Sequence, residues 1–255
     1  MCMSIVELEA ALRGLRLSGM CATLQARALQ VTTGEMNFIE GLSWLVQDEI
    51  DRRRTQLIEK RFKQSRLPER KDLKDFDWNF NPKVPKREIL GLTTLKFLNG
   101  REDGMFIGEP GTGKSYCAKA LGLLAVSQGY SVYYRDAYDL IDEIALARER
   151  GDIRDLRDEL KTVELLIIDD LFLRALPAGA GEELADILMS RYERHSTIVT
   201  SNRPLEDWGK LLGDVVIVAP LLDRLMHHGH LLRFEGKSWR LREAAQRLAI
   251  AAAYA

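Results

Sequence analysis

Over the first fifty residues the apolar positions recur every three to four places, the spacing of helices that bury one side. Ser4 and Glu7 stand three apart, as in a capping box, and predict a first helix reaching about Leu15. A second is predicted over 18–32, and Asn37 with Glu40 caps a third. Phe38, Leu42, Leu45, Val46 and Ile50 share one face of that third helix, which predicts that its first half packs and its basic second half runs on as an arm to Pro68. Between 76 and 85, Pro82 and Pro85 disfavour helix and predict an extended connector, whose aromatics Trp78 and Phe80 dock on the domain that follows or on a neighbouring subunit rather than on bases. The pattern then changes. Short apolar runs at 103–107, 131–134, 165–168, 196–201 and 230–235 alternate with helical stretches at 116–128, 138–150, 152–161 and 220–227. Unbroken apolar runs are what parallel strands covered on both faces require. The predicted fold is α/β: a parallel sheet with helices on both faces, preceded by a small all-helical domain. The expected divisions are 1–75, 76–90, 91–245 and a tail at 246–255.

The junction after the strand at 103–107 carries the chemistry. Gly108, Glu109, Pro110, Gly111, Thr112, Gly113, Lys114 and Ser115 have the spacing GxxxxGK[ST] of the phosphate-binding P-loop, the Walker A motif. Its glycines let successive N–H groups turn inward around phosphates, Lys114 reaches the terminal phosphates, and the Ser115 hydroxyl is placed to bind Mg2+. Tyr116 opens the helix whose positive end faces the same phosphates. The ligand expected is a nucleoside triphosphate, ATP or GTP. The run at 165–168 ends in Asp169 and Asp170, the Walker B pattern, in which Asp169 would hold Mg2+ through water and Asp170 would polarise an attacking water. The strand at 196–201 stops at Asn202, before Arg203 and Pro204. Arg224 is the one arginine amid apolar residues of the helix at 220–227, beside Asp223, with which a surface pair is the structural alternative.

Composition narrows the class. The 255 residues are 46% hydrophobic and 29% charged, enough for one sizeable core and a smaller module. No apolar stretch is long enough to span a bilayer and Glu7 and Glu9 sit where a signal peptide would be basic and apolar, so no membrane partner and a cytoplasmic location are expected. Cys2, Cys21 and Cys117 have no ligand spacing, and Cys117 is expected to pack. His227, His228 and His230 connect a helix to a strand with no cysteine nearby, which argues against a zinc site. The net charge of −1 conceals an asymmetry: residues 52–74 carry ten basic and three acidic side chains, +7 against −8 elsewhere. Arg52, Arg53, Arg54, Lys60, Arg61, Lys63 and Arg66 therefore form a candidate surface for duplex DNA phosphates, read without regard to sequence.

Taken together, the P-loop, Asp169 and Asp170, residues 197–204 with Trp208, and Leu222 to Leu225 resemble the IstB-like transposition helper ATPases of bacterial insertion sequences, relatives of the DnaC-type helicase loaders. The basic run from Asp48 to Arg54 and the segment at 75–80 resemble the same family's N-terminal region. The resemblance implies an AAA+ ATPase that uses ATP and Mg2+, forms a homo-oligomer on duplex DNA, bends it, and presents it to the transposase of the same element. It implies for Asn202 the sensor 1 role toward the terminal phosphate, and for Arg224 that of a finger offered to a neighbouring subunit. It also casts the second of the two helices at 138–161 as a channel-lining insertion, with Arg148, Arg150, Arg154 and Arg157 as candidates for phosphate contact or surface pairing. Asp170 replaces the glutamate usual in these ATPases and is one methylene shorter, which implies slow hydrolysis. The stretch from Gly236 to Ala255 is short for the full helical lid that supplies a sensor 2 arginine in such ATPases; Arg240 or Arg242 could substitute for it, or be ordinary solvated helix arginines. Two other readings share the ATPase half, a helicase loader and a nucleotide-gated DNA scaffold with little hydrolysis. A P-loop small-molecule kinase would have no use for Asn202 or an arginine acting in trans.

Overall fold

The computed structural model describes residues 3–173, 176–177, 179–209 and 215–253, the side chains of 215–218 and 249–253 apart. It divides into two compact units, one ending at Lys60 and one starting at Arg61, rather than at the expected limit of 75.

The first unit holds α1 (Ile5–Gly14), α2 (Ser18–Thr32) and most of α3 (Phe38–Gln64). The capping box forms at Ser4 and Glu7, and Asn37 and Glu40 make the same reciprocal bonds at 3.0 and 2.8 Å. The expected apolar packing face of α3 is corrected by the structure: Phe38, Leu42, Val46 and Ile50 are exposed. Helix α2 instead takes the neighbouring face of α3. Gly41 allows Val31 to approach, since a Cβ there would lie 2.5 Å from the valine. Glu49, 5% exposed, gives its carboxylate to the N-terminus of α2, where unpaired N–H groups and the helix dipole favour an anion. One Glu49 oxygen accepts from Gly19 N–H at 2.5 Å, the other from Arg53 at 2.6 Å and Arg52 at 3.3 Å. Arg27 and Asp48 add a two-bond pair between the same helices. The basic helix stops at Gln64, short of Pro68, where Arg66 adopts a left-handed backbone.

In the second unit the connector turns at residues 78–80 and gives way at Lys86 to α4 (Lys86–Leu92), then α5 (Lys96–Gly100), neither signalled by the apolar pattern. Strands β1 (Asp103–Gly108), β2 (Val132–Asp136), β3 (Leu165–Leu171), β4 (Ser196–Ser201) and β5 (Gly229–Phe234) form one parallel sheet in the order β2-β3-β4-β1-β5. Their connections are α6 (Lys114–Ser127), the pair α7 (Ala137–Arg150) and α8 (Ile153–Thr162), α9 (Ala180–Arg191) and α10 (Val215–His227). The residues at 246–253, expected as a tail, continue α11 (Trp239–Ala253), so one helix follows the last strand.

Gly151 ends α7 in the left-handed conformation open to glycine and allows α8 to turn back. One face of the sheet buries Leu166, Ile168 and Val199 against α7, α9 and Trp208. Arg191, 1% exposed, ties α8 to β4 through bonds to the carbonyls of Leu160, Val163 and Ser196 at 2.6–2.8 Å. Cys117 packs, fully buried. Among the described residues no helix is long and apolar enough to cross a membrane.

The Arg53 guanidinium, against the cost of burial, and then Arg52 and the Gly19 N–H hold the Glu49 carboxyl at about 2 instead of 4.5. Since the folded value lies below the unfolded one, this contribution is complete above pH 4.5 and is lost as pH falls toward 2. Glu49→Gln is therefore expected to lower the thermal midpoint at pH 7 and to flatten its fall between those values. A midpoint unchanged at neutral pH would show that the carboxylate does not hold α2 on α3.

Candidate functional site

Three strand ends meet at one side of the sheet. β1 lies between β4 and β5, and β4 lies beside β3, so the segments after β1, β3 and β4 are neighbours. The loop after β1 needs its glycines. Gly108 has φ +146, and a Cβ on it would lie 1.9 Å from the Phe234 carbonyl oxygen. Gly113 has φ +105 immediately before α6. Gly111 to Tyr116 line a cavity of 640 Å³ together with Lys119, Asp170 and Asn202. The first N–H groups of α6 have no partner within the helix and are available to an anion there.

Lys114 is 4% exposed and its Nζ donates to the carbonyls of Gly108 and Glu109 at 2.8 and 2.7 Å. Burial lowers its pKa to about 8, while Asp170 and Asp169 pull the other way. Asp169 is also 4% exposed; the Tyr134 hydroxyl donates to one oxygen at 2.6 Å and the Thr200 hydroxyl to the other. Asp170 lines the cavity, and burial followed by the charge of Asp169 raises its carboxyl above the usual range, with Arg240 and Lys114 opposing. The structure thus brings the loop, Lys114, Ser115, Asp170 and Asn202 to one cavity, with Asp169 buried beside Asp170.

The connector and α11 complete the cavity wall. Phe76 meets Tyr116 edge-on at 5.2 Å, and Phe80 meets Trp239 at 5.1 Å. Arg242 lies over the Phe80 and Trp239 rings and 3.5 Å from Asp77. Asn81 bonds the Glu235 carbonyl at 2.8 Å. Phe76 and Phe80 of the connector therefore dock on this unit, one of the two surfaces expected for the connector aromatics, while Trp78 packs on Phe76. Phe76, Phe80, Asn81 and Trp239 were not read from the sequence as cavity residues. Of the two arginines considered for sensor 2, Arg240 lines the cavity.

Other candidates lie elsewhere. Arg224 meets Met189 Sδ at 2.9 Å and faces the Tyr192 ring, and no ion pair with Asp223 is found among the described residues. Arg148 and Arg157 both engage Glu183 of α9. Arg52 and Arg53 engage Glu49, and Arg66 engages Glu143 while lying over Tyr133. Arg54, Lys60 and Lys63 are exposed, and Arg61 is half-buried. Glu193, exposed, joins His227 and His228 with one possible ligand atom each within 4.8 Å, whereas His230 bonds Glu102.

The donor set fits a Mg2+-bound triphosphate: a left-handed glycine loop, a helix N-terminus, one ammonium, the Ser115 hydroxyl and two adjacent carboxylates. The model of the IstB-like ATP binding proteins matches residues 10–247. The chain belongs to this family. An ATP-binding protein of insertion sequence IS5376 from Geobacillus stearothermophilus is 34% identical over 90% of this chain and 91% of its own length. Its counterpart from IS21 of Pseudomonas aeruginosa is 32% identical over 93% and 89%. Among solved structures, the DnaC helicase loader has a TM-score of 0.51 at 23% identity over 58% of this chain and 86% of its own. DnaI has 0.56 at 20% identity over 65% and 92%. At these identities the likeness shows the fold alone.

Gly113→Ala puts a side chain on a left-handed residue, at a cost of about 1–2 kcal/mol, and its Cβ would lie 2.7 Å from the Phe76 ring. We expect it to weaken binding of a fluorescent ATP analogue by about 5- to 30-fold, the factor to which that cost converts where it falls on the phosphate-binding conformation of the loop. Unaltered affinity would show that the loop does not hold the nucleotide.

Proposed function

We propose that this IstB-like chain binds and hydrolyses ATP and acts as a transposition helper, assembling on duplex DNA and stimulating the transposase of its insertion sequence. The observation that carries the ATPase part is the convergence of Lys114, Ser115, Asp170 and Asn202 on one cavity. The transposition part is supported by relatives named as insertion-sequence ATP-binding proteins that align over about nine-tenths of the chain.

The loop N–H groups and Lys114 bind the phosphates, the ammonium exchanging loop carbonyls for phosphate oxygens. Mg2+ held by Ser115, and by Asp169 through water, would offset charge on the terminal phosphates. Asn202 orients the attacking water and Asp170 accepts a hydrogen bond from it. The water oxygen bonds to the γ-phosphorus as the bond to the bridging oxygen of ADP breaks, releasing phosphate. Arg224, outside the cavity of its own subunit, serves the cavity of a neighbour.

DNA affinity comes mainly from cations on phosphates, and any preference among sequences from how easily the duplex deforms. The exposed Arg54, Lys60 and Lys63 lead this contact together with the half-buried Arg61, with Arg52, Arg53 and Arg66 joining where their present partners release them.

Two experiments test this reading. Lys114→Ala and Arg224→Ala are each expected to lack ATP hydrolysis, and their mixture to recover part of it, because each supplies what the other lacks across a subunit boundary. No recovery on mixing, or normal hydrolysis by Arg224→Ala alone, would remove the trans role. Neutralising Arg54, Lys60 and Lys63 together is expected to lower the slope of log affinity against log salt by about 2 to 3. An unchanged slope would place the DNA elsewhere.

A further inference from the structure

Strands β3 and β4 pair in register from Leu165 opposite Ser196 to Ile168 opposite Val199, and resume with Leu171 opposite Ser201. Between these points two residues of β3, Asp169 and Asp170, stand against one residue of β4, Thr200. This is a bulge, a device that bends a strand and re-aims a side chain. One hydroxyl fills it. Thr200 Oγ1 accepts the Asp170 N–H at 2.9 Å, replacing the ladder bond the bulge removes, and donates its own proton to Asp169. Ser201 then closes the bulge by donating to the Leu171 carbonyl at 2.6 Å. Thr200 is fully buried, so water cannot take the place of its hydroxyl. Asp170 has φ +52, a left-handed backbone that side-chain-bearing residues rarely adopt, and from it reaches the cavity.

We propose that Thr200 is a positioning residue for hydrolysis: its hydroxyl holds the bulge that aims Asp170 at the attacking water. It also links that carboxylate to β4, the strand that Asn202 follows. Contact between Asn202 and a terminal phosphate therefore bears on the orientation of Asp170 through two residues of β4. This inference rests on the ATPase reading given above. The Tyr134 hydroxyl steadies the other oxygen of Asp169, so that Asp169 is fixed from β2 and β4 while Asp170 is fixed through its backbone.

The test uses the full chain with Thr200→Val, which keeps shape and loses the hydroxyl, and Thr200→Ser, which keeps the hydroxyl. Steady-state ATP hydrolysis, affinity for a non-hydrolysable ATP analogue, and amide hydrogen exchange at Asp170 are measured for each. For Thr200→Val we expect kcat to fall roughly 10- to 100-fold, the scale of a misplaced reacting group, with analogue affinity within about threefold of the parent. Its Asp170 amide should exchange faster while Ile168 stays protected. Thr200→Ser should recover both kcat and protection. Should Thr200→Val not fold, Thr200→Cys, a weaker donor of similar size, is expected to show the same split with a smaller loss. Undiminished kcat in the valine or cysteine variant overturns the proposal, and so does a parallel loss of affinity and kcat that serine fails to rescue. Absence of turnover in the parent chain with duplex DNA present overturns the ATPase reading itself, and the proposal with it.

Discussion

The parallel pairing of β3 with β4 and of β4 with β1 is the constraint on which the rest depends. Parallel strands need crossovers, which bury both faces of the sheet and send every strand end toward the same side. The order β2-β3-β4-β1-β5 then makes neighbours of three loops that lie far apart in sequence, those after Gly108, Leu171 and Ser201. A side chain at any one of these ends has little chemistry alone. Together they bring an ammonium, a hydroxyl, a carboxylate and an amide to one cavity.

Burial sets the electrostatics there. Lys114 is pushed down to about 8 and Asp170 upward because both charges have been taken out of water, and each partly offsets the other's cost. A triphosphate brings negative charge that favours the Lys114 ammonium and disfavours an ionised Asp170, so it favours the protonated form of both groups. The shortness of Asp170 acquires a structural context from the bulge: its backbone is displaced and left-handed, which alters the reach of the side chain relative to a regular strand.

Much of the fold was legible in the sequence because continuous apolar runs mark buried parallel strands, and all five predicted strands overlap the observed ones with ends that agree to within three residues. The nucleotide loop was legible because its glycine spacing reflects a backbone requirement. The first unit was read less well. Helical spacing identified α3 correctly, but periodicity cannot say which face finds a partner, and here a glycine and a buried glutamate outcompeted the apolar stripe for α2. Helices α4, α5 and α9 lacked a distinct signal, and the aromatic wall from Phe76 to Trp239 depends on two segments about 160 residues apart coming together. The bulge was equally hidden, since neither Thr200 nor Asp170 is an unusual residue for a strand end.

The most direct test is the rate of ATP hydrolysis by the purified chain, measured with and without sheared duplex DNA. Turnover that rises with duplex, and an assembly that forms only when duplex and nucleotide are both present, is what the proposed function predicts. Turnover indifferent to duplex, or stimulated only by single strands or a helicase, would contradict it.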